Sequence, residues 1–437
     1  MTDDTPKPAK KLTPANQNPW YILMTLHKEQ PEGAEWWNYD EELHAKNRRD
    51  WNKWAARGLS EEKLAELRAM TDGEGKPHFE ETELVPHDDK EFAALAAAFT
   101  KASAQRGATA ALPPPDQGCG LSHVAFDRVF IARGLLFPGY ADLSGATFSG
   151  DAFLSGATFS GYAFLSGATF SGYANLSGAT FSGDAFLSGV KFSRKHRVDF
   201  SHATFKGKTT FLNAEMEGAT SFAHAVFEKH PPSFHGAKLN EGAALHGVRW
   251  PDPPTPQTPP PEKDSAKARD AIATAEAEAK EAAQQHVYNY QRLKQIMEGL
   301  KKHEDELNFF AMEMAAQRVV DGKRSLRGLL NGIYGAVSDY GRSILRPTLA
   351  FFPFFALSAP VFEQSARVGE GCAPLTGAQA AGVSLATFLS VLPGLKDTIN
   401  YKCLSTLATF TAGFNAVVGA ALLFLIGLGL RNRFRMK

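Results

Sequence analysis

Cysteine is nearly absent from this chain: Cys119, Cys372 and Cys403 are the only three among 437 residues. They follow no metal-ligand spacing, and so low a count fits a reducing compartment for most of the chain. Cys372 and Cys403 bracket one segment; they are read as unpaired thiols, because a bridge would require that segment to face an oxidising space. Net charge is absent as well, with 47 basic residues against 47 acidic ones. A neutral chain has no global field to draw in nucleic acid, so a charged partner must be met by a local patch. The segment Met1 to Gln17 lacks the apolar stretch of a secretory signal. It is rich in Lys and Pro and reads as a disordered leader (1–17). No phosphate loop, metal cluster or nucleophile beside a base is found, so no catalytic, metal or cofactor residue is expected, and the chain is read as a non-enzyme.

What is present is a comb. Twenty-four residues, mostly Phe or Leu, recur at steps of five or six from Leu121, Phe126, Ile131 and Phe137 to Trp250. Between Ala141 and Gly189 the unit is almost verbatim: Ala-x-Leu-Ser-Gly, Ala-Thr-Phe-Ser-Gly, one extra residue, and again. A period this short describes a solenoid. Each five-residue unit makes one face of a square coil, its central Phe or Leu points inward, and four faces close a turn. The inward rings then stack at about the 4.8 Å spacing of neighbouring strands. The extra residues Asp151, Tyr162, Tyr173 and Asp184 lengthen a turn to 22 residues. About six turns are expected, with residues 22 apart lying above one another. Irregular spacing at Phe192 to Phe200 and at Phe227 to Phe234 predicts bulges there.

Ala141-Asp142-Leu143-Ser144-Gly145 and Ala174-Asn175-Leu176-Ser177-Gly178 resemble the pentapeptide-repeat family. That resemblance implies a right-handed quadrilateral β-helix over residues 119–250. The family includes gyrase-regulating DNA mimics, which need a strongly acidic surface. Here nine acids between Cys119 and Trp250 face eleven basic residues, which disfavours mimicry and nucleic acid as a partner. A neutral, hydroxyl-rich wall suits protein contacts instead. The tyrosines Tyr140, Tyr162 and Tyr173 are the candidate partner-contact edge, since exposed aromatics favour such contacts. The 22-residue step puts Tyr140 and Tyr162 on one edge, and Asp151 and Tyr173 on the opposite one. It also aligns His202 with His224, read as two surface histidines, because no third ligand recurs in their column.

Before the solenoid, residues 18–111 read as a small Trp-rich, mainly helical module. Asn18 to Leu26 is expected as a strand, and Asp40 to Trp54 as a helix presenting Leu43, Trp51 and Trp54. Ser60 caps a further helix, and Phe92, Leu95 and Phe99 mark another. The five tryptophans Trp20, Trp36, Trp37, Trp51 and Trp54 are read as packing residues of this module, which also serves to cover the solenoid's open end. After it, 251–263 is a proline-rich linker. The segment 264–322, without proline to Val320 and with Gly299 its one glycine before that point, reads as a long helix. A heptad seam through Leu293, Met297, Leu300, Leu307, Ala311 and Met314, interrupted by Glu304, suits either an oligomeric coiled coil or a helix folded onto the solenoid.

The carboxy-terminal part is apolar. Residues 323–343 read as a juxtamembrane helix, and 344–437 as a membrane hairpin with spans Ile344 to Phe362 and Leu404 to Leu430. The basic residues Lys323, Arg324, Arg327, Arg342 and Arg346, with the tail after Arg431, place both ends in the cytoplasm. Ala378 to Leu395 is expected as a re-entrant or interfacial helix between the spans. Segments such as Tyr290 to Lys294, Tyr334 to Pro347 and the closing Leu-Arg-Asn-Arg-Phe-Arg are similar to the tails of membrane-anchored bacterial members of the same family, which implies a bacterial inner-membrane location. The lipid bilayer is therefore the expected partner, beside an unidentified protein and, in one reading, further copies of the chain. A scaffold is the leading reading; a homo-oligomeric two-span channel with a cytoplasmic sensor is the alternative.

Overall fold

The structure, a computed structural model, describes residues 11–35, 38–71, 75–256, 265–364, 372–392, 394–395 and 399–435. The chain forms two compact units, Met1–Asp252 and Pro253–Lys437.

The first unit is built on a parallel β-solenoid of about six turns. Strands of two or three residues stack into one seven-stranded and three five-stranded ladders. The register follows the 22-residue step: Ala163 pairs with Ala141 below and Ala185 above. Both small and large inward positions are closed to solvent, as Ala141, Leu143, Ala146 and Phe148 show. In the regular turns from Ala141 to Ala185 alanine stands two residues before each large side chain, a small residue suited to the close-packed interior at that level. The aromatic columns are nearly parallel: Phe148 and Phe170 lie 4.5 Å apart at 3°, and Phe137, Phe159 and Phe181 follow at 4.8 Å. Each buried Phe contributes about 1.5–3 kcal/mol of transfer free energy. Both predicted bulges are present. The step lengthens to 24 between Thr180 and Thr204, after the Arg194–Arg197 insertion, and to 23 between Thr210 and Ser233.

At alternate corners the chain turns through a residue with positive φ. Ala146 N–H donates to Leu143 O at 3.1 Å around Gly145, whose φ of +65° suits glycine. His123, His202, Asn213 and His224 hold the same conformation at φ 54–59°. For a non-glycine residue this costs on the order of 1 kcal/mol.

The amino-terminal module covers the first turn. Helices α1 (Pro19–Met24), α2 (Glu41–Ala56), α3 (Glu61–Arg68) and α4 (Asp89–Gln105) surround Trp20, Trp51 and Trp54, all buried. Trp51 Nε1 donates to Leu136 O at 2.7 Å, Asn52 Nδ2 to Gly134 O at 3.1 Å and Asn18 Nδ2 to Gly120 O at 3.0 Å. Backbone groups of the solenoid's exposed end are thus satisfied by side chains. Trp36 and Trp37 lie outside the described residues.

Two expectations need correcting here. Within Asn18 to Leu26, Pro19–Met24 is helical rather than extended: Pro19 occupies the first helical position, and the Asn18 carboxamide oxygen accepts from Trp20 N and Tyr21 N. The leader is ordered in its last residues, since Thr13–Pro14 pairs with Val124–Ala125 and Ala15 is buried; residues 1–10 lie outside the described set.

The second unit is helical, and the expected long helix is broken. It comprises α5 (Ser265–Gly299) and α6 (His303–Asp321), which pack on each other across the short turn after Gly299, where Lys301 takes φ +57°. Val287, Tyr290, Leu293 and Met297 are buried, and Lys294 Nζ pairs with Glu313 at 2.5 Å. These residues of the seam are therefore closed largely within the α5–α6 pair. Then follow α7 (Leu326–Ser338), α8 (Leu345–Gln364), α9 (Gly377–Phe388) and α10 (Thr406–Arg435). The juxtamembrane helix is shorter than 323–343, because Asp339, Tyr340 and Gly341 all take positive φ. Helices α8 and α10 are long and apolar enough to cross a membrane. Cys372 and Cys403 are joined by a disulfide, which corrects the reading of two free thiols.

Candidate functional site

A groove of about 1650 Å³ runs along the outside of the solenoid. Its floor spans two adjacent ladders, with Ile131, Phe153 and Asn175 of the one that runs from Phe130–Ile131 to Thr220–Ser221, and Thr180, Thr204 and Val226 of the next. Four steps between the strands of the first ladder give a length of roughly 19 Å at about 4.8 Å each. The side chain in the variable slot of each Ala-x-Leu unit points out, so Phe153 and Asn175 reach the groove. Phe153 packs edge-on against Tyr173 at 5.9 Å. One end is walled by the amino-terminal module, where His78 Nε2 lies 2.7 Å from Gly156 O and Arg133 donates to Tyr39 Oη at 2.9 Å.

The other end is basic. The two-residue bulge thrusts Lys195, His196 and Arg197 outward, and His202, His224 and Arg249 join them along the groove. Arg197 pairs with Asp199 at 2.8 Å. His202 and His224 stack at 5.1 Å and 18°, while His246 stands edge-on to His224 at 5.3 Å. The 22-residue step foresaw the alignment of His202 and His224. Among the described residues no group of three His, Cys, Asp or Glu side chains is placed to hold a metal.

The three tyrosines divide between two corners. Tyr140 and Tyr162 are about half exposed, at 48% and 53%, and share one corner. Tyr162 lies 6.1 Å from Phe164 and 6.3 Å from Phe186, so the patch there is aromatic beyond its tyrosines. Tyr173 stands at another corner, half-buried in the groove, with its N–H donating to Asp151 Oδ1 at 2.8 Å. Burial and the nearby Asp199 raise its phenol pKa above the ordinary range. The three are not one edge. Phe153, Phe164 and Phe186 escaped the sequence reading, though their place in the variable slot of Ala-x-Leu was the available signal.

Two buried titrating groups in this unit belong to packing. Burial pushes the His44 imidazole pKa down to about 4, although the Arg133 carbonyl accepts from its ring at 2.9 Å. Burial raises the Cys119 thiol well above its usual pKa, which suits an inert core thiol.

The second unit holds a polar cluster of its own. Ser358 and Ser384 hydroxyls meet at 2.7 Å, and Asn415 Nδ2 donates to Thr387 Oγ1 at 3.0 Å. These bonds tie α9 to both α8 and α10. A side chain at Gly419 would strike Phe388 O at 1.9 Å, so glycine permits the close approach.

The family model for pentapeptide repeats, in nine copies, matches residues 136–180 and 176–226. Neither a curated protein nor a solved structure matches the chain. The matched residues are the regular turns of the solenoid, which is therefore a pentapeptide-repeat fold.

Proposed function

We propose that this protein is a membrane-anchored interaction scaffold whose solenoid groove receives a segment of a partner protein. The groove carries this reading, because it joins an aromatic floor to polar and basic walls, the composition of a protein-binding surface rather than of a reaction centre. The hairpin of α8 and α10 serves as the anchor, with both termini in the cytoplasm of a bacterial cell and the hairpin in its inner membrane. The Cys372–Cys403 bridge supports that orientation, since disulfides persist on the oxidising side. Tyr140 and Tyr162 offer a second contact surface at another corner. The test is affinity capture with the full-length protein and a Phe153→Ser/Tyr173→Ser variant, read by quantitative mass spectrometry. A partner lost only from the variant supports the groove; identical profiles overturn it.

The alternative of a homo-oligomeric channel rests on α9, which packs between α8 and α10 in the manner of a re-entrant helix. Its hydroxyls, however, are spent on hydrogen bonds to the neighbouring helices rather than offered to an ion. Ion flux from liposomes loaded with the purified protein would reverse the order of the two readings.

A further inference from the structure

Helix α7 is packed with its polar side in. Leu326, Leu329, Leu330 and Ile333 fall at i, i+3, i+4 and i+7, the spacing of an apolar face turned toward a core. Yet they are 72%, 53%, 57% and 50% exposed, while Gly328, Asn331 and Ser338 are the buried residues. The inward face is held specifically. Asn331 Nδ2 donates to Met314 O of α6 at 2.8 Å, and a Cβ at Gly332 would lie 2.8 Å from the Arg318 guanidinium carbon. Rolling the helix to bury its leucines would break that bond and drive larger side chains into α6. The leucine stripe therefore needs an occupant other than this chain's own core.

Two observations identify that occupant. The first is position. After Ser338 the chain turns sharply at Asp339–Gly341, where Asn432 Nδ2 of α10 donates to Gly341 O at 3.0 Å. Asn432 lies between Arg431 and Arg433, where the uncharged run Leu404 to Leu430 ends. The carboxy-terminal end of α7 thus stands at the level where the span meets water. The second is charge: Lys323, Arg324 and Arg327 are exposed beside the stripe, while the nearby Asp339 is taken by Arg342 at 2.9 Å and Arg346 at 3.7 Å.

We propose that α7 is an interfacial helix, its Leu326, Leu329, Leu330 and Ile333 stripe seated at the acyl boundary and Lys323, Arg324 and Arg327 on anionic phospholipid headgroups. The proposal rests on the reading of α8 and α10 as membrane spans.

Nitroxide labels test it on the full-length protein in nanodiscs. The native cysteines are buried or bridged, so an introduced thiol is the reactive one. Labels at Leu329→Cys and Ile333→Cys should respond to oxygen and show severalfold lower accessibility to a nickel chelate than Ser171→Cys on the solenoid. Phe424→Cys in α10 is the lipid control. Labels at 329 and 333 as wet as that at 171, with 424 in lipid, overturn the proposal and leave the spans standing; a wet 424 overturns the spans and the proposal with them. Labels shielded from both reagents assign the stripe to a second protein copy and also overturn it. Replacing Lys323, Arg324 and Arg327 with Gln should raise chelate access at 333 in nanodiscs containing phosphatidylglycerol but not in neutral ones; equal access in both removes the headgroup assignment.

Discussion

The two units place the same residue types on opposite sides. In the solenoid Phe159, Phe181 and Leu165 are fully enclosed and the outer wall is rich in Ser, Thr and Gly. In the carboxy-terminal helices Phe352, Phe410, Val417 and Phe424 are exposed, while Ser358, Ser384, Thr387 and Asn415 are buried and paired. Water drives the first arrangement, because apolar surface is costly there. In hydrocarbon that drive between helices is gone, and association rests on close packing and hydrogen bonds. The contrast is the one expected if α8 and α10 cross a membrane, as we propose.

The sharpest way to break the comparison is to truncate matched phenylalanines. Phe159→Ala should cost about 3–5 kcal/mol in the thermal unfolding of the solenoid. Phe424→Ala should leave stability in detergent within about 0.5 kcal/mol. A large loss at both positions would mean that α10 packs like a soluble core.

Acid tests the polar side of the same contrast, since in the first unit burial excludes a charge that lipid does not touch. His44 titrates near 4 in the folded chain, against 6.5 for an ordinary solvent-exposed histidine. The unfolded chain thus binds the proton first, and the group's contribution is complete above pH 6.5 and lost as pH falls toward 4. The full effect is roughly 3 kcal/mol, read as a drop in the unfolding midpoint between pH 7.5 and pH 4 that His44→Gln should abolish.

The corners give a smaller effect. Gly178→Ala, at φ +65°, should destabilise by about 1–2 kcal/mol, whereas His202→Gly should be neutral or stabilising by under about 1 kcal/mol. Equal losses at both would show that the histidine stack matters more than corner strain. Asn415→Leu removes the bond to Thr387; about 0.6 kcal/mol is expected in detergent-based unfolding.

How much of this was legible follows the same division. The Phe and Leu comb revealed the period, the inward positions and both bulges, because a narrow lumen leaves a side chain every five residues no alternative. Outward residues obey no such rule, so Phe153, Phe164 and Phe186 passed unnoticed, and the groove's basic end was hidden in the Arg194–Arg197 bulge. Local chemistry also overrode pattern. Asn18 and Pro19 start a helix where the apolar run suggested a strand, and Gly299 with Lys301 breaks a helix that the heptads had carried through. The disulfide was undecidable without knowing how the chain folds between Cys372 and Cys403. The stripe on α7 could be read from spacing, but which way it faces is settled by Asn331 and Gly332.

The central claim is that the carboxy-terminal helices are solvated by lipid, and alkaline carbonate extraction of membranes tests it most directly. The full chain should remain in the pellet while a chain ending at Gly322 stays soluble and folded. Release of the full chain by carbonate, or sedimentation of the shortened one, would contradict the account.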